Sequence, residues 1–421
     1  MKQRVRTIGF LLMASLLAGS AHAVDPASDL GQFQAHRAAG MAAFDQNDPT
    51  GAMAAFSKAG AILPDSPSIL LLKAQVAMKQ RKKADAKAAL KEYLKRGYVL
   101  DLAKNPDFNQ VWDAELNDLL ELNESPVGQM RVVSNSPGFI LAESLAQTED
   151  GAEVFVGGVR TGTVTAISAG GARDVLTFRP GVAAYGLALH DGKLWATTAA
   201  TRQTETFDPK AKVTSKVVVI DPTTGAIGKS FSDSAKSRRF GKLLAGRDDL
   251  YVTDSERGEV LRLAGYDGAL ETLVPEGYMD SPGGLAESAD ASSLIVADFV
   301  SGLYRVDLGS GSMTRLAPPA DGALLGISYL ARHGNDLIAI QTGFKPDRVL
   351  RLRMSDDWSQ VKAVDVLLRS ERLLSQPTQG VISGDTFMFI AKSQWDNLDA
   401  RGNPVKAEPD PAVIGAITLT P

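Results

Sequence analysis

Few residues in this chain can do chemistry, and their placement is informative. There is no cysteine, and the only histidines are His22, His36, His190 and His333. A thiol nucleophile is therefore impossible, and a histidine base or dyad is disfavoured, since His36 belongs to a helical segment and His190 and His333 to turns expected to lie away from the channel mouth. His190 in "ALHDGKLW" and His333 in "ARHGNDL" sit where a short turn joins two strands, which predicts solvated turn residues. Trp395, Asp396 and Asn397 form an aromatic plate with polar neighbours inside the long segment "SQWDNLDARGNPVKAEPDP". Lys236, Arg238 and Arg239 in "AKSRRF" could meet an anionic ligand, against the plainer expectation of a solvated charge run. Asp254 and Asp298 close strands in "VTD" and "VAD", where an aspartate is expected to cap the following turn. No zinc spacing, phosphate-cradling glycine loop or GxSxG elbow stands out.

The elements that must position these groups change character along the chain. From about Val127 the apolar pattern has period two, and three stretches superpose without a gap: "VFVGGVRTGTVTAI" from Val154, "LYVTDSERGEVLRL" from Leu250 and "LIVADFVSGLYRVD" from Leu294. They place Gly162, Gly258 and Gly302 in one column. Six such units can be drawn, with one equivalent position at the start of each: Glu143, Tyr185, Gly241, Gly283, Leu325 and Gln379. Several gaps between these positions are 42 residues, the length of one four-stranded propeller blade. The sixth unit runs out of chain before a fourth strand, and "MRVVS" (Met130 to Ser134) is available to supply it and close a ring. Strand directions alternate within a blade, so the start of the first strand and the second-to-third loop share one face. The long loops 199–215, 342–347 and 393–411 should all project from the face that bears Glu143, as binding loops or as packing against the preceding domain.

Before the strands the pattern is helical. Between Ala35 and about Arg96 small and large apolar residues recur at three- and four-residue spacing, and a shift of 34 residues lays "GAMAAF" over "DAKAAL" and Gly40 over Ala74. Pro64-Asp65-Ser66 breaks the two units, and "NPDFNQVWDAELNDLLEL" should cap the stack or dock on the next domain, with Trp112 as a packing anchor. This segment resembles a tetratricopeptide array, which implies a protein or peptide partner. The chain opens "MKQRVRTIGFLLMASLLAGSAHA", the pattern of a secretory signal peptide, so a periplasmic or secreted location is expected. The formal charge of -4 argues against nucleic acid as a partner, and no later stretch is apolar enough to span a bilayer. The expected organisation is multidomain: 1–23 signal peptide, 24–126 all-α tetratricopeptide-like repeats, 127–421 an all-β six-bladed propeller.

The phrases "ESLAQTEDGAEVFVGG", "LYVTDSERGEVLRL" and "SPGGLAESADASSLIVADF" resemble the propeller superfamily that includes gluconolactonases, senescence marker proteins and strictosidine synthases. The lactonase branch implies a divalent cation in the central channel, held by a glutamate of the first blade and by Asn and Asp side chains of later blades. Glu143 matches that glutamate and is the metal-ligand candidate, for calcium or zinc. Gly241, Gly283 and Leu325 stand where the other ligands would be expected. Two function classes follow. The first is an exported non-catalytic binding or scaffold protein, with helical repeats for a peptide or protein and a propeller mouth lined by Glu143, Tyr185, Arg239, Trp395, Asp396 and Asn397. The alternative is a metal-dependent lactonase-like hydrolase, with Asp396, Asp399 or Asp347 moved in as further ligands.

Overall fold

The structure, a computed structural model, describes residues 24–136, 138–233, 236–399, 401–406 and 408–419. The segment read as a signal peptide, 1–23, lies outside the described residues.

Two helix pairs come first. They are α1 (Asp29–Asp45) with α2 (Pro49–Ile62), and α3 (Pro67–Lys79) with α4 (Lys83–Lys95). Local sequence sets their starts: the Ser28 hydroxyl accepts the Gly31 N–H, the Asp48 carboxylate accepts the Gly51 N–H, and Pro49 and Pro67 occupy first-turn positions that need no N–H. The 34-residue period has its packing reason at Gly40, where an added Cβ would lie 2.4 Å from the Phe56 ring. A fifth helix, α5 (Ala114–Glu124), covers the second pair, and Trp112 packs there half-buried against the cluster containing Leu90, Tyr98 and Phe108.

Six four-stranded antiparallel sheets follow, and together they form a six-bladed propeller. The inner strands of blades one to six are Ala142–Gln147, Val182–His190, Phe240–Ala245, Pro282–Glu287, Ile327–His333 and Gly380–Ser383. Blade six is completed by Arg131–Ser136, which pairs antiparallel with Ala412–Thr418 as the outermost strand, so the ring closes with both ends of the domain in one sheet. The glycine column is the turn into the third strand of blades one, three and four, where Gly162, Gly258 and Gly302 have φ of 68°, 64° and 97°.

The inner strands share a defect that matters for the site. In blades one to five the register against the second strand slips between 142 and 144, 184 and 186, 240 and 243, 282 and 285, and 327 and 329. Each slip is a β-bulge, which leaves one or two residues unpaired and re-aims them. The bulged residues are Glu143, Tyr185, Gly241 with Lys242, Gly283 with Gly284, and Ser328. The expectation of Leu325 in this series is therefore corrected to Ser328. Leu325 lies upstream of its strand and is buried among Phe33, Phe56 and Ala59 of the helices.

The helical domain is seated on the propeller. Ala323 and Leu325 lie in helical clusters, and Phe344 packs on both of those clusters and meets the Tyr98 ring edge-on at 4.9 Å. The Arg96 guanidinium donates to the carbonyls of Pro319 at 3.1 Å and Gly322 at 2.7 Å. Val127 and Arg369 exchange backbone hydrogen bonds, and the Arg369 guanidinium donates to the Ser125 carbonyl at 2.9 Å. The loop 342–347 therefore projects from the expected face, but packs on the helices.

Asp65, at the break between the helix pairs, is fully buried in this joint. Its Oδ2 accepts the Leu324 N–H at 2.7 Å, while its Oδ1 has no hydrogen-bond partner. Burial raises its pKa above the ordinary carboxylate value, against the opposing pull of the Leu324 N–H, Arg96 and Arg315. The folded protein thus holds this proton more tightly than the unfolded chain does. Stability associated with Asp65 is full below the unfolded pKa and declines as pH rises through the folded one. Asp65→Asn should match the wild type in unfolding free energy, read from denaturant curves, near about pH 4 and exceed it by roughly 1 kcal/mol near about pH 8. A variant that loses stability at the higher pH would show that the site favours the anion.

Candidate functional site

The bulge in blade one turns Glu143 into the mouth of the channel, where side chains from two other blades meet it. Lys242, from the bulge of blade three, places Nζ 2.6 Å from Glu143 Oε1 and 3.2 Å from the Glu143 carbonyl oxygen. Trp395, from the long loop of blade six, donates its indole N–H to Oε2 at 2.7 Å. Both carboxylate oxygens are thus engaged, in a pair whose side chains are 13 % and 12 % exposed. Tyr185, from the bulge of blade two, hydrogen-bonds the Thr201 hydroxyl, and burial raises its phenol well above the ordinary value. Glu143 pushes the same phenol further up and Arg239 opposes it, so all three groups share one electrostatic environment.

The long blade-six loop roofs this mouth. Trp395 and Leu398 of the blade-six loop pack with Leu141, Val159 and Ala183 of blades one and two, and with the Tyr185 ring. Gln394, fully buried, fastens that loop: its Oε1 accepts the Leu141 N–H at 3.0 Å and its Nε2 donates to Gly138 and Asp410 carbonyls at 2.9 and 2.8 Å. Below the mouth, Gln379 of blade six crosses the channel and donates to the carbonyls of Leu145 at 3.1 Å and Leu187 at 2.8 Å. Leu145 is two residues deeper than Glu143, so the arrangement is a floored cup.

Of the residues expected at the site, Glu143, Trp395 and Tyr185 are brought together, and the Arg239 charge is near enough to act on the Tyr185 phenol. Asp396 is exposed and accepts the Ser375 hydroxyl at 3.0 Å, and Asn397 is buried within its own loop. Among the described residues, neither hydrogen-bonds Glu143, whose partners are Lys242 and Trp395. Lys242 and Thr201 were missed. The "AKSRRF" run is also corrected as a solvated run, because Arg238 is buried among Asp233, Asp254 and Glu259, with Asp254 Oδ2 at 3.0 Å. Asp254 nonetheless caps its turn as expected, accepting the N–H groups of Arg239 and Glu256 at 3.0 Å each. Asp298 caps likewise, accepting from Asp280, Ser281 and Ser301 N–H groups. His190 and His333 are in first-to-second-strand turns as expected, but His190 stacks on the Tyr266 ring at 3.8 Å.

The resemblance implied a divalent cation at Glu143, and the donor set does not fit one. A hard cation needs six or more oxygens. Gly241 and Gly283 offer no side chain, Leu325 is not on the ring, and Lys242 puts an ammonium against the one carboxylate. The three aspartates considered as substitutes are committed elsewhere. Asp347 accepts the Lys345 ammonium at 2.8 Å and the Gln376 N–H at 2.9 Å, Asp399 accepts backbone N–H groups of Arg401 and Asn403, and Asp396 holds Ser375. Among the described residues no three acidic or histidine side chains gather where they could hold an ion.

A tetratricopeptide repeat family model matches residues 43–98. No curated protein matches the chain. Among solved structures, a gluconolactonase from Xanthomonas campestris is similar at TM-score 0.47 and 14 % identity, covering 70 % of this chain and 94 % of its own. Regucalcin, a calcium-binding protein from Agrobacterium tumefaciens, is similar at TM-score 0.48 and 15 % identity, covering 69 % and 94 %. The PQQ-bound aldose sugar dehydrogenase of Streptomyces coelicolor is similar at TM-score 0.45 and 12 % identity, covering 70 % and 100 %. At such identities the likeness concerns fold.

Removing one partner of a buried ion pair strands the other. Lys242→Met should lower stability by about 2–3 kcal/mol and Glu143→Gln by about 1–2 kcal/mol. A double-mutant cycle on denaturant unfolding should give a coupling of at least about 1 kcal/mol. Additive single effects would show that the two groups do not interact in solution.

Proposed function

We propose that the protein is an exported binding protein whose propeller mouth recognises a small, oxygen-rich ring molecule bearing a carbonyl or carboxylate, of the sugar-acid or lactone class, without a metal ion. The observation that carries this reading is the engagement of both Glu143 oxygens by Lys242 and Trp395. The cup offers a carboxylate to accept hydroxyl protons, two cations in Lys242 and Arg239 for a carbonyl or carboxylate, and two aromatic rings for the ring face. The helical repeats present peptide-binding architecture, but part of their apolar face is taken by the propeller's own loop. A peptide or protein partner would use what remains of that surface.

A second reading is hydrolysis of a lactone at the same cup, and the Glu143–Lys242 contact favours it. Lys242 and Arg239 are placed to stabilise negative charge developing on a carbonyl oxygen, and Glu143 to accept a proton from attacking water. Both readings share the site and differ in turnover.

The test is a titration of aldonic acids and aldonolactones into the chain starting at Val24, followed by Trp fluorescence and by proton release. Saturable binding that survives chelator and weakens by at least about tenfold in Trp395→Ala and Lys242→Met supports the site. Proton release with lactones, lost in Glu143→Gln, would select the hydrolase. Saturable calcium binding lost in Glu143→Gln would overturn the metal-free assignment.

A further inference from the structure

A second concentration of charge lies away from the mouth cup, where the helical domain meets blade five. A cavity of about 280 Å³ there is lined by Arg96, Arg348, Arg369, Lys95, Asn123 and Gln341, among others. Arg348 is 5 % exposed. Its Nη1 donates to the Gly97 carbonyl at 3.2 Å, while its Nε has no partner. No Asp or Glu of the described residues comes within ion-pairing distance of Arg348, Arg369 or Lys95. Arg96 is paired with Glu92, whose carboxylate is 2.8 Å away, and Asp321 stands exposed at the rim.

A buried guanidinium without a counter-charge is expensive, since each desolvated ion loses several kcal/mol of hydration unless a partner replaces the water. Burial lowers Arg348 to about 10, and the neighbouring Arg369 charge pushes in the same direction against the opposing pull of Tyr98. Two guanidinium groups close enough to repel, facing one cavity with no carboxylate between them, are arranged for a ligand that carries the missing negative charge. Guanidinium forks match the oxygen spacing of phosphate, and an anion of that size fits the space.

We propose that this interdomain cavity is a binding site for a compact phosphate-class oxyanion, either inorganic phosphate or the phosphate group of a small ester, with Arg348 and Arg369 as its main ligands. Lys95 at the rim completes the positive charge facing the cavity, while Asn123 spends both amide hydrogens on the Leu94 and Tyr98 carbonyls at 2.7 and 2.9 Å. Arg348 already donates to the Gly97 carbonyl and Arg369 Nε to the Ser125 carbonyl at 2.9 Å, so an occupied site would add a ligand bridge to these domain contacts. Occupancy would therefore tighten the docking of helices on propeller, and binding would appear as added stability.

The test is calorimetric titration of inorganic phosphate and of glycerol phosphate into the chain starting at Val24, with succinate as comparison. Saturable binding of one phosphate per chain is expected, with a matching rise in melting temperature. Arg348→Met should weaken it at least about tenfold. Lys95→Glu, at an exposed helix end where folding is not at stake, should weaken it by roughly threefold. Lys242→Met, at the mouth cup, should leave it unchanged. Tighter binding of the ester would identify the ester as the source, and equal or tighter binding of inorganic phosphate would identify the free anion. The proposal fails if neither phosphate saturates, if succinate binds as well, if Lys95→Glu is silent, or if Lys242→Met abolishes binding.

Discussion

Closure of the ring is the constraint on which the rest depends. Arg131–Ser136 completes blade six only because the chain returns to Ala412–Thr418, and that pairing locks the ring whose inner strands pack blade against blade. Fixing them puts Glu143 of blade one within 2.6 Å of Lys242 of blade three, and lets Gln379 of blade six reach carbonyls of blades one and two. None of these contacts is local in sequence. The same closing strand follows directly on the tether at Val127, whose exchange of hydrogen bonds with Arg369 fixes the helical domain to blade five. Ring closure and domain docking are thus consecutive events along ten residues of chain.

The architecture was legible because it is written as periodicity. The 34-residue helical period and the blade spacing both reflect units that cannot bury their apolar faces alone, so neighbours must repeat the pattern. The strand missing from blade six was readable for the same reason, since an unpaired edge requires a partner from somewhere in the chain. Blade five shows where periodicity misled. A regular spacing of 42 residues pointed to Leu325, but Leu325 packs on the helices and the bulged position is Ser328, which only the register shift at 327–329 reveals.

The site was half legible. Glu143 and Tyr185 are single bulged residues, so counting along the inner strand found them. Blade three carries a two-residue bulge, and counting stopped at Gly241, which has no side chain to contribute. The side chain that reaches Glu143 is the next one, Lys242. Its role could be suspected from the one lysine beside an otherwise empty ring position, but its partner is 99 residues away and visible only in three dimensions. Trp395 was found through loop length, which names the loop and not the residue. Arg238 was misread because a run of basic residues on a loop looks solvated until the buried carboxylates Asp254 and Glu259 are seen around it.

Two tetratricopeptide units are too few to bury their own faces, since arrays of this kind usually need about three. The structure resolves this by substitution. Ala323 and Leu325 stand within helical clusters, and Phe344 packs on both, so propeller loops cover apolar surface that the two units leave open while α5 covers the end of the stack. The polar requirements of the joint follow from the same arrangement. Loop backbone brought against helices leaves carbonyls and N–H groups that no ladder satisfies, and Arg96, Asp65 and Arg369 supply their partners. Charged side chains reach further than the loops can bend, which explains why the boundary is rich in buried arginine rather than sealed by apolar contact alone. The domain boundary is therefore a packed core with ionic fittings, and the helices form one wall on the face that carries the channel mouth.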